Sequence, residues 1–127
     1  DLLIKNEAGE TLLTWREDGL HKPCWHVPGG IIRFKETTAQ RIDAVADLEL
    51  GTSVTFKKEP LAINEFIHPS RAVRGHFISL LYGCTLLGDP ADRLRHRGGE
   101  PKPGEWFWHK ACPENLILGQ EMYRHLI

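Results

Sequence analysis

The chain lacks any charge bias: 16 Lys and Arg oppose 17 Asp and Glu, a net charge of −1 over 127 residues. That balance gives no basic face for nucleic acid and no cationic stripe for an anionic membrane surface. No apolar run approaches the ~18 residues a membrane span needs. Cysteine is scarce too. Cys24, Cys84 and Cys112 are odd in number and have no CxxC spacing, which argues against a disulfide framework or a zinc site. His68, His76 and His109 do not have the helical spacing of a metal-binding pair. Reduced structural thiols and no visible leader give the expectation of a cytoplasmic protein. The chain opens on Asp1 rather than Met, so the missing leader weighs little.

What is present is an ordinary globular composition, 41% hydrophobic and 26% charged. Its length fits a single domain, residues 1–127, with a real core. Residues 2–5 and 11–15 are β-prone and flank the polar turn Asn6-Glu7-Ala8-Gly9-Glu10, so they read as a hairpin. Residues 25–27 read as a short strand stopped by Pro28. Residues 36–50 form the clearest helical pattern, with Thr37 or Thr38 as cap and Gly51 as terminator. Ala39, Ile42, Ala46 and Leu50 make its core stripe, and Gln40, Asp43 and Asp47 its solvent stripe. Strands are expected over residues 52–56, 61–67, 76–87 and 105–110, with an exposed loop over 88–104. A short helix is expected over residues 114–118, and a last helical turn before Ile127. This order predicts an α/β protein, with layers around a central mixed sheet.

The chemistry concentrates in Trp25-His26-Val27-Pro28-Gly29-Gly30, the helix after it, and Glu49-Leu50-Gly51. Paired glycines let other groups approach the main chain closely, and Pro28 stiffens the turn. Such a loop can aim a carbonyl inward while a carboxylate at the helix end faces the same point. Oxygen donors of this kind suit Mg²⁺ or Mn²⁺, which also bind substrate phosphates. Glu49 also sits at the negative end of the helix, where a carboxylate is poorly placed without a cation.

Gly30, Glu36, Ala46, Glu49 and Gly51 fall at the spacing of the Nudix hydrolase box, in which Gly, five residues, Glu and seven residues precede Arg-Glu-apolar-x-Glu-Glu-x-Gly. The chain therefore resembles the Nudix hydrolases, and the resemblance implies an α/β/α sandwich. It departs from the box at Ala44, Val45 and Leu48, where the pattern has Arg, Glu and Glu. This reduced box is similar to the branch represented by GDP-mannose mannosyl hydrolase, which uses one metal. The resemblance implies Mg²⁺ (or Mn²⁺) at the Gly29 carbonyl and Glu49. It implies a substrate contact at Arg16, and Asp1 and His68 as active-site acid–base candidates. Ile31 stands where that branch has a substrate arginine. The late loop, Glu100-Pro101-Lys102-Pro103-Gly104-Glu105, lacks the branch's Gln-His pair. His96 or Glu100 would replace that base only with a rearranged loop.

Arg41 shares the helix face of Glu49, and either contacts phosphate or pairs with Glu36 or Glu49. Glu36 reads as structural, fixing the loop or the helix start. Val45 and Leu48 are expected to pack against loops over the helix. Arg71, Arg74, Arg93, Arg95, Arg97 and His96 read as loop cations, either receiving phosphates or simply solvated. Trp106 and Trp108 share a strand face opposite Phe107 and are expected in the core. The implied substrate is a nucleoside diphosphate linked to another group, such as a sugar. The alternative is a Nudix-fold binding or regulatory module that has lost catalysis. Relatives commonly form homodimers, which the sequence does not decide.

Overall fold

A computed structural model describes residues 1–73 and 75–127. Its strands are β1 (Leu2–Ile4), β2 (Thr11–Arg16), β3 (Cys24–His26), β4 (Val54–Phe56), β5 (Ala62–Ile67), β6 (His76–Leu86) and β7 (Trp106–His109). The helix α1 spans Thr38–Val45 and continues as a π-turn over Ala46–Leu50. A run of 3-10 turns over Leu118–Leu126 closes the chain.

The strands form a mixed β-layer. One sheet has the order β1-β6-β4, with β5 also on β6, and the other has β3-β2-β7. The pairing of β1 with β6 is parallel and the other ladders are antiparallel. The expected β1–β2 hairpin is confirmed only at its turn. Asn6 Oδ1 accepts from the Glu10 N–H at 2.9 Å, and Lys5 bridges Thr11. The ladder of β1 belongs to β6, where Leu2, Leu3 and Ile4, apolar on both faces, are buried on both.

Two cores flank this layer. On one side α1 and its π-turn contribute Ile42, Val45, Ala46 and Leu50 against Leu2, Ile4, Leu12, Tyr82 and Trp106. On the other side Tyr123, from the 3-10 run, packs with Leu3, Leu13, Trp15, Trp25 and Leu81. Full burial of one such aliphatic side chain contributes ~1.5–3 kcal/mol. The result is the expected α/β class with helical layers on both sides of the sheets. Trp106 is buried and Trp108 packs against the first core, while Phe107 faces out. Cys24, Cys84 and Cys112 are free thiols. No helix among the described residues is long and apolar enough to cross a membrane.

Two elements depart from the sequence expectation. Residues 114–118 are not a helix. The edge of β3 claims their backbone, with Trp25 N–H donating to Asn115 O at 3.1 Å and Ile117 N–H to Trp25 O at 2.9 Å. An unpaired buried strand edge is costly, so sheet pairing wins over local helix propensity. The helix after the glycine loop ends in a π-turn, in which one wider turn changes the face that later residues present. Val45 is buried as expected, but Leu48 is turned out and 74% exposed.

Candidate functional site

Thr37 caps α1. Its hydroxyl accepts from Gln40 N–H while the Gln40 side chain accepts from Thr37 N–H, a capping box that fixes where the helix begins. Gly51, at φ 65°, ends it in the left-handed region. Glu49 lies in the π-turn between these fixed points, and it turns inward.

The Glu49 carboxylate accepts from Thr14 Oγ1 at 2.9 Å and from Gly29 N–H at 3.2 Å. Burial pushes its pKa up, against the opposing hydrogen bonds from Thr14 and Gly29 and the charge of Arg16. Thr14 Oγ1 is also 2.9 Å from His26 Nε2, and His26 Nδ1 is 3.0 Å from Val27 O. A carbonyl only accepts, so His26 Nδ1 carries a hydrogen. Burial, then the Arg16 charge, lowers the His26 pKa to about 4, so the ring is neutral and Nε2 accepts. Thr14 carries a single hydrogen and stands between two acceptors, Glu49 Oε2 and His26 Nε2, donating to one of them at a time.

On the other side of the loop, Asp1 accepts from Ser79 Oγ at 2.6 Å and from Gln120 Nε2 at 3.0 Å. Tyr123 OH lies 2.5 Å from Ser79 Oγ. Ser79 spends its hydrogen on Asp1, so Tyr123 donates to Ser79. Gln120 also clamps Val27, accepting from its N–H at 2.7 Å and donating to its carbonyl at 3.0 Å. A Cβ on Gly29 would collide with the Asp1 carboxylate. The Gly29 peptide is thus held between Asp1 on one side and Glu49 on the other. Leu2 N–H ties Pro28 O at 2.8 Å. Among the described residues, no donor reaches the Gly29 carbonyl.

The remaining sequence candidates are distributed as follows. Arg41 pairs with Glu36 rather than Glu49, its Nε and Nη2 reaching the carboxylate at 2.8–2.9 Å. Glu36 also accepts from Arg33 N–H at 2.8 Å, so it fixes the loop. Ala44 stands where the box has Arg, and Arg41, one turn earlier, supplies the guanidinium to Glu36. Arg16 donates to Asp18 at 2.6 Å, close enough to Glu49 and His26 for its charge to act on both. Burial raises the Asp18 pKa, but hydrogen bonds from Arg16, Leu20 N–H and His21 outweigh it and hold the carboxyl well below the usual range. Arg71 reaches Leu20 O at 2.9 Å and His21 at 3.1 Å, joining the β5–β6 loop to the same edge. His68 sits past the end of β5, its Nδ1 accepting from Ser70 N–H at 3.2 Å. His96 is held by Glu105 at 2.8 Å, and Glu100 is exposed. Arg74 lies outside the described residues.

Asp1, Gly29 and Glu49 are therefore brought together, with Arg16 at the margin. Arg41 and His68 are engaged elsewhere. Thr14, Ser79, Gln120 and Tyr123 were not singled out by the sequence, and His26 stood in the loop motif without a role of its own. The only signal they gave was a polar side chain at an inward position of an apolar segment, as Thr14 is in Leu12-Leu13-Thr14-Trp15.

The candidate ligands around Gly29 are oxygens, its own carbonyl and the partly buried Glu49 carboxylate. That chemistry fits a hard divalent ion. No cluster of three or more His, Cys, Asp or Glu side chains among the described residues forms a ready-made cage, so water and substrate oxygens would complete the coordination.

No protein-family profile matches the sequence. The low-salt glycan biosynthesis protein Agl8 of Haloferax volcanii is 34% identical over 93 residues, which is 70% of this chain and 58% of that protein. The chain thus spans little more than half the length of this curated relative. Among solved structures, a MutT NUDIX hydrolase from Burkholderia pseudomallei superposes with a TM-score of 0.70 at 17% identity, covering 100% of this chain and 98% of the other. A UDP-X diphosphatase superposes with a TM-score of 0.66 at 12% identity, covering 98% of this chain and 56% of the other. The fold is that of the Nudix hydrolases.

Proposed function

Starting from the Nudix fold, we propose that this protein is a divalent-metal-dependent hydrolase of a nucleoside diphosphate linked to another group, with nucleotide sugars the first class to test. The observation that carries this reading is the partly buried Glu49 carboxylate, held against the Gly29 peptide at the end of the Pro-Gly-Gly–helix unit. Mg²⁺ bound by the Gly29 carbonyl and Glu49 would neutralise diphosphate charge and stabilise the leaving group.

The chain's own residues then have definite tasks. Thr14 and Gly29 N–H orient the two Glu49 oxygens. Arg16 holds the diphosphate after exchanging its exposed partner Asp18, a pair that costs little to open. Asp1 is the nearer candidate base: Ser79 and Gln120 occupy one position on each of its oxygens, leaving acceptor capacity for a water. His68 serves only if the β5–β6 loop moves.

The reduced box favours a single metal, as in the branch similar to GDP-mannose mannosyl hydrolase. The relative Agl8 is described as a glycan biosynthesis protein and one structural neighbour as a UDP-X diphosphatase, which supports sugar-linked nucleotides as the starting panel. A second reading is a binding or regulatory module without turnover. It is favoured by the engagement of Arg16 with Asp18 and of Arg41 with Glu36.

The test is Mg²⁺-dependent turnover of a nucleotide-sugar panel by the wild type and Glu49→Gln. Turnover lost in the variant supports the hydrolase. Ligand-induced thermal stabilisation without turnover supports the binding module. Turnover indifferent to Glu49→Gln removes the proposed site.

A further inference from the structure

On the sheet face opposite Glu49 lies a cleft that the proposed hydrolase does not use. Along β3, His26 points toward Thr14 and Glu49, so Trp25 points to the other side. Along β7, Phe107 and His109 share that other side, away from the buried Trp106. The loop after β6 returns over these rings. Arg95 bridges Trp106, and His96 N–H donates to Trp106 O at 2.9 Å. Between loop and sheet is a volume of about 700 Å³. A hollow of about 320 Å³, reaching Trp108 around the edge of β7, adjoins it through Arg95, Phe107 and His109 and extends the trough. Neither is lined by Asp1, Thr14, Arg16, Gly29 or Glu49.

Its walls are aromatic and cationic. Four rings pack edge to face in a closed cycle: Trp25 on His109 at 4.6 Å, His109 on Phe107 at 5.4 Å, Phe107 on His96 at 5.8 Å, and His96 on Trp25 at 6.0 Å. Phe107 is 40% exposed. His96 and His109 stand nearly perpendicular to it, at 83° and 87°, and part of the ring is open to a planar group. His109 Nε2 is enclosed and has no hydrogen-bond partner among the described residues, an uncompensated cost at the floor of the trough. Arg95 lies over the Trp106 ring at 5.7 Å, and among the described residues no carboxylate pairs with it. Arg97 holds Asp92 at 2.6 Å, but both side chains are mostly in solvent, and such a pair yields readily to a stronger anion. Carboxylates at the margin are committed as well, Glu105 to His96 and Glu10 to Asn6.

A flat apolar surface beside two arginines suits a ligand that is planar at one end and anionic at the other. We propose that the trough is a second ligand site, separate from Gly29–Glu49, that takes a nucleoside monophosphate, its base against Phe107 and its phosphate at Arg95 and Arg97. The volume lies within the 300–1,000 Å³ usual for small-molecule sites. No metal is needed, because guanidinium groups meet the phosphate directly.

The test is a backbone-amide chemical-shift titration of the full chain with AMP in the presence of EDTA, with adenosine and inorganic phosphate as separate arms. AMP is expected to move His96, Gly98, Phe107 and His109 with a millimolar or tighter Kd. That Kd is expected to be unchanged in Glu49→Gln and about tenfold weaker in Phe107→Ala. Arg95→Ala, a substitution in an exposed loop, is expected to weaken it by a similar factor, about tenfold. Adenosine and phosphate alone are expected to bind more weakly than AMP. The proposal is overturned by the absence of shifts at millimolar AMP or by shifts confined to residues near Gly29. Affinity unaffected by Phe107→Ala and Arg95→Ala, or lost in Glu49→Gln, overturns it equally.

Discussion

Thr14→Val is the substitution that probes the Glu49 site most deeply without touching a proposed ligand. Thr14 is 1% exposed, and valine matches its shape while removing the hydroxyl. The hydroxyl serves two partners, Glu49 Oε2 and His26 Nε2, each at 2.9 Å. The partners stand 3.9 Å apart, too far to bond each other once the hydroxyl is gone. Two buried polar groups are left unsatisfied, at ~1–3 kcal/mol each. Partial relaxation of Glu49 toward water reduces the sum to about 2–4 kcal/mol, a large share of the 5–15 kcal/mol typical of a domain. Unfolding entropy of ~2.1 cal/mol/K per residue gives about 0.27 kcal/mol/K at this length, so Tm should fall by about 7–15 °C. Thr14→Ser keeps the hydroxyl and should stay within about 1–1.5 kcal/mol of wild type, since only a methyl is lost. Urea denaturation and calorimetry read both variants. A Thr14→Val protein within 0.5 kcal/mol of wild type (a rough threshold from the spread of neutral substitutions) would refute a stabilising role for the shared hydroxyl.

Two further outcomes follow from the same geometry. His26 is neutral in the fold, with its pKa lowered to about 4 from 6.5 mainly by burial. The unfolded chain then binds the extra proton more readily, and stability falls as pH drops from about 6.5 toward 4. The loss is about 3 kcal/mol at ~1.36 kcal/mol per pH unit. Urea midpoints at stepped pH should show this acid limb in wild type and not in His26→Gln, and an identical limb in both proteins would contradict it. Gly29→Ala drives a methyl into Asp1 and should cost about 1–3 kcal/mol as an overpacked site. Chemical shifts of Asp1, Ser79 and Gln120 should move together, and an unperturbed Ser79–Asp1 contact would argue against the clamp.

The parts legible in the sequence are those written in local spacing. Thr37 and Gly51 bracket the helix because caps act over three or four residues. Gly29 and Glu49 were named by the spacing of the Nudix-like box, and a loop followed by its helix can bring residues about twenty apart to one point. The parts that stayed hidden are joined across the fold. Glu49 meets Thr14 from 35 positions away, Asp1 meets Ser79 from 78, and Val27 meets Gln120 from 93. No periodicity encodes such pairs. The π-turn was equally silent, since an α-helical period placed Leu48 beside Val45, whereas the wider turn exposes Leu48 and turns Glu49 inward. The helix expected at residues 114–118 failed for a tertiary reason, the open edge of β3. Arg41 was correctly placed on the helix face next to the loop, but periodicity alone does not choose between phosphate and Glu36 as its partner.

The central claim is that Gly29 and Glu49 seat one divalent cation. Mn²⁺ titration followed by electron paramagnetic resonance tests it without any substrate. The wild type is predicted to bind a single Mn²⁺ per chain, displaced by Mg²⁺, with affinity at least about tenfold weaker in Glu49→Gln, as expected when one charged ligand is neutralised. Equal Mn²⁺ binding by wild type and Glu49→Gln, or no binding by the wild type, would contradict it.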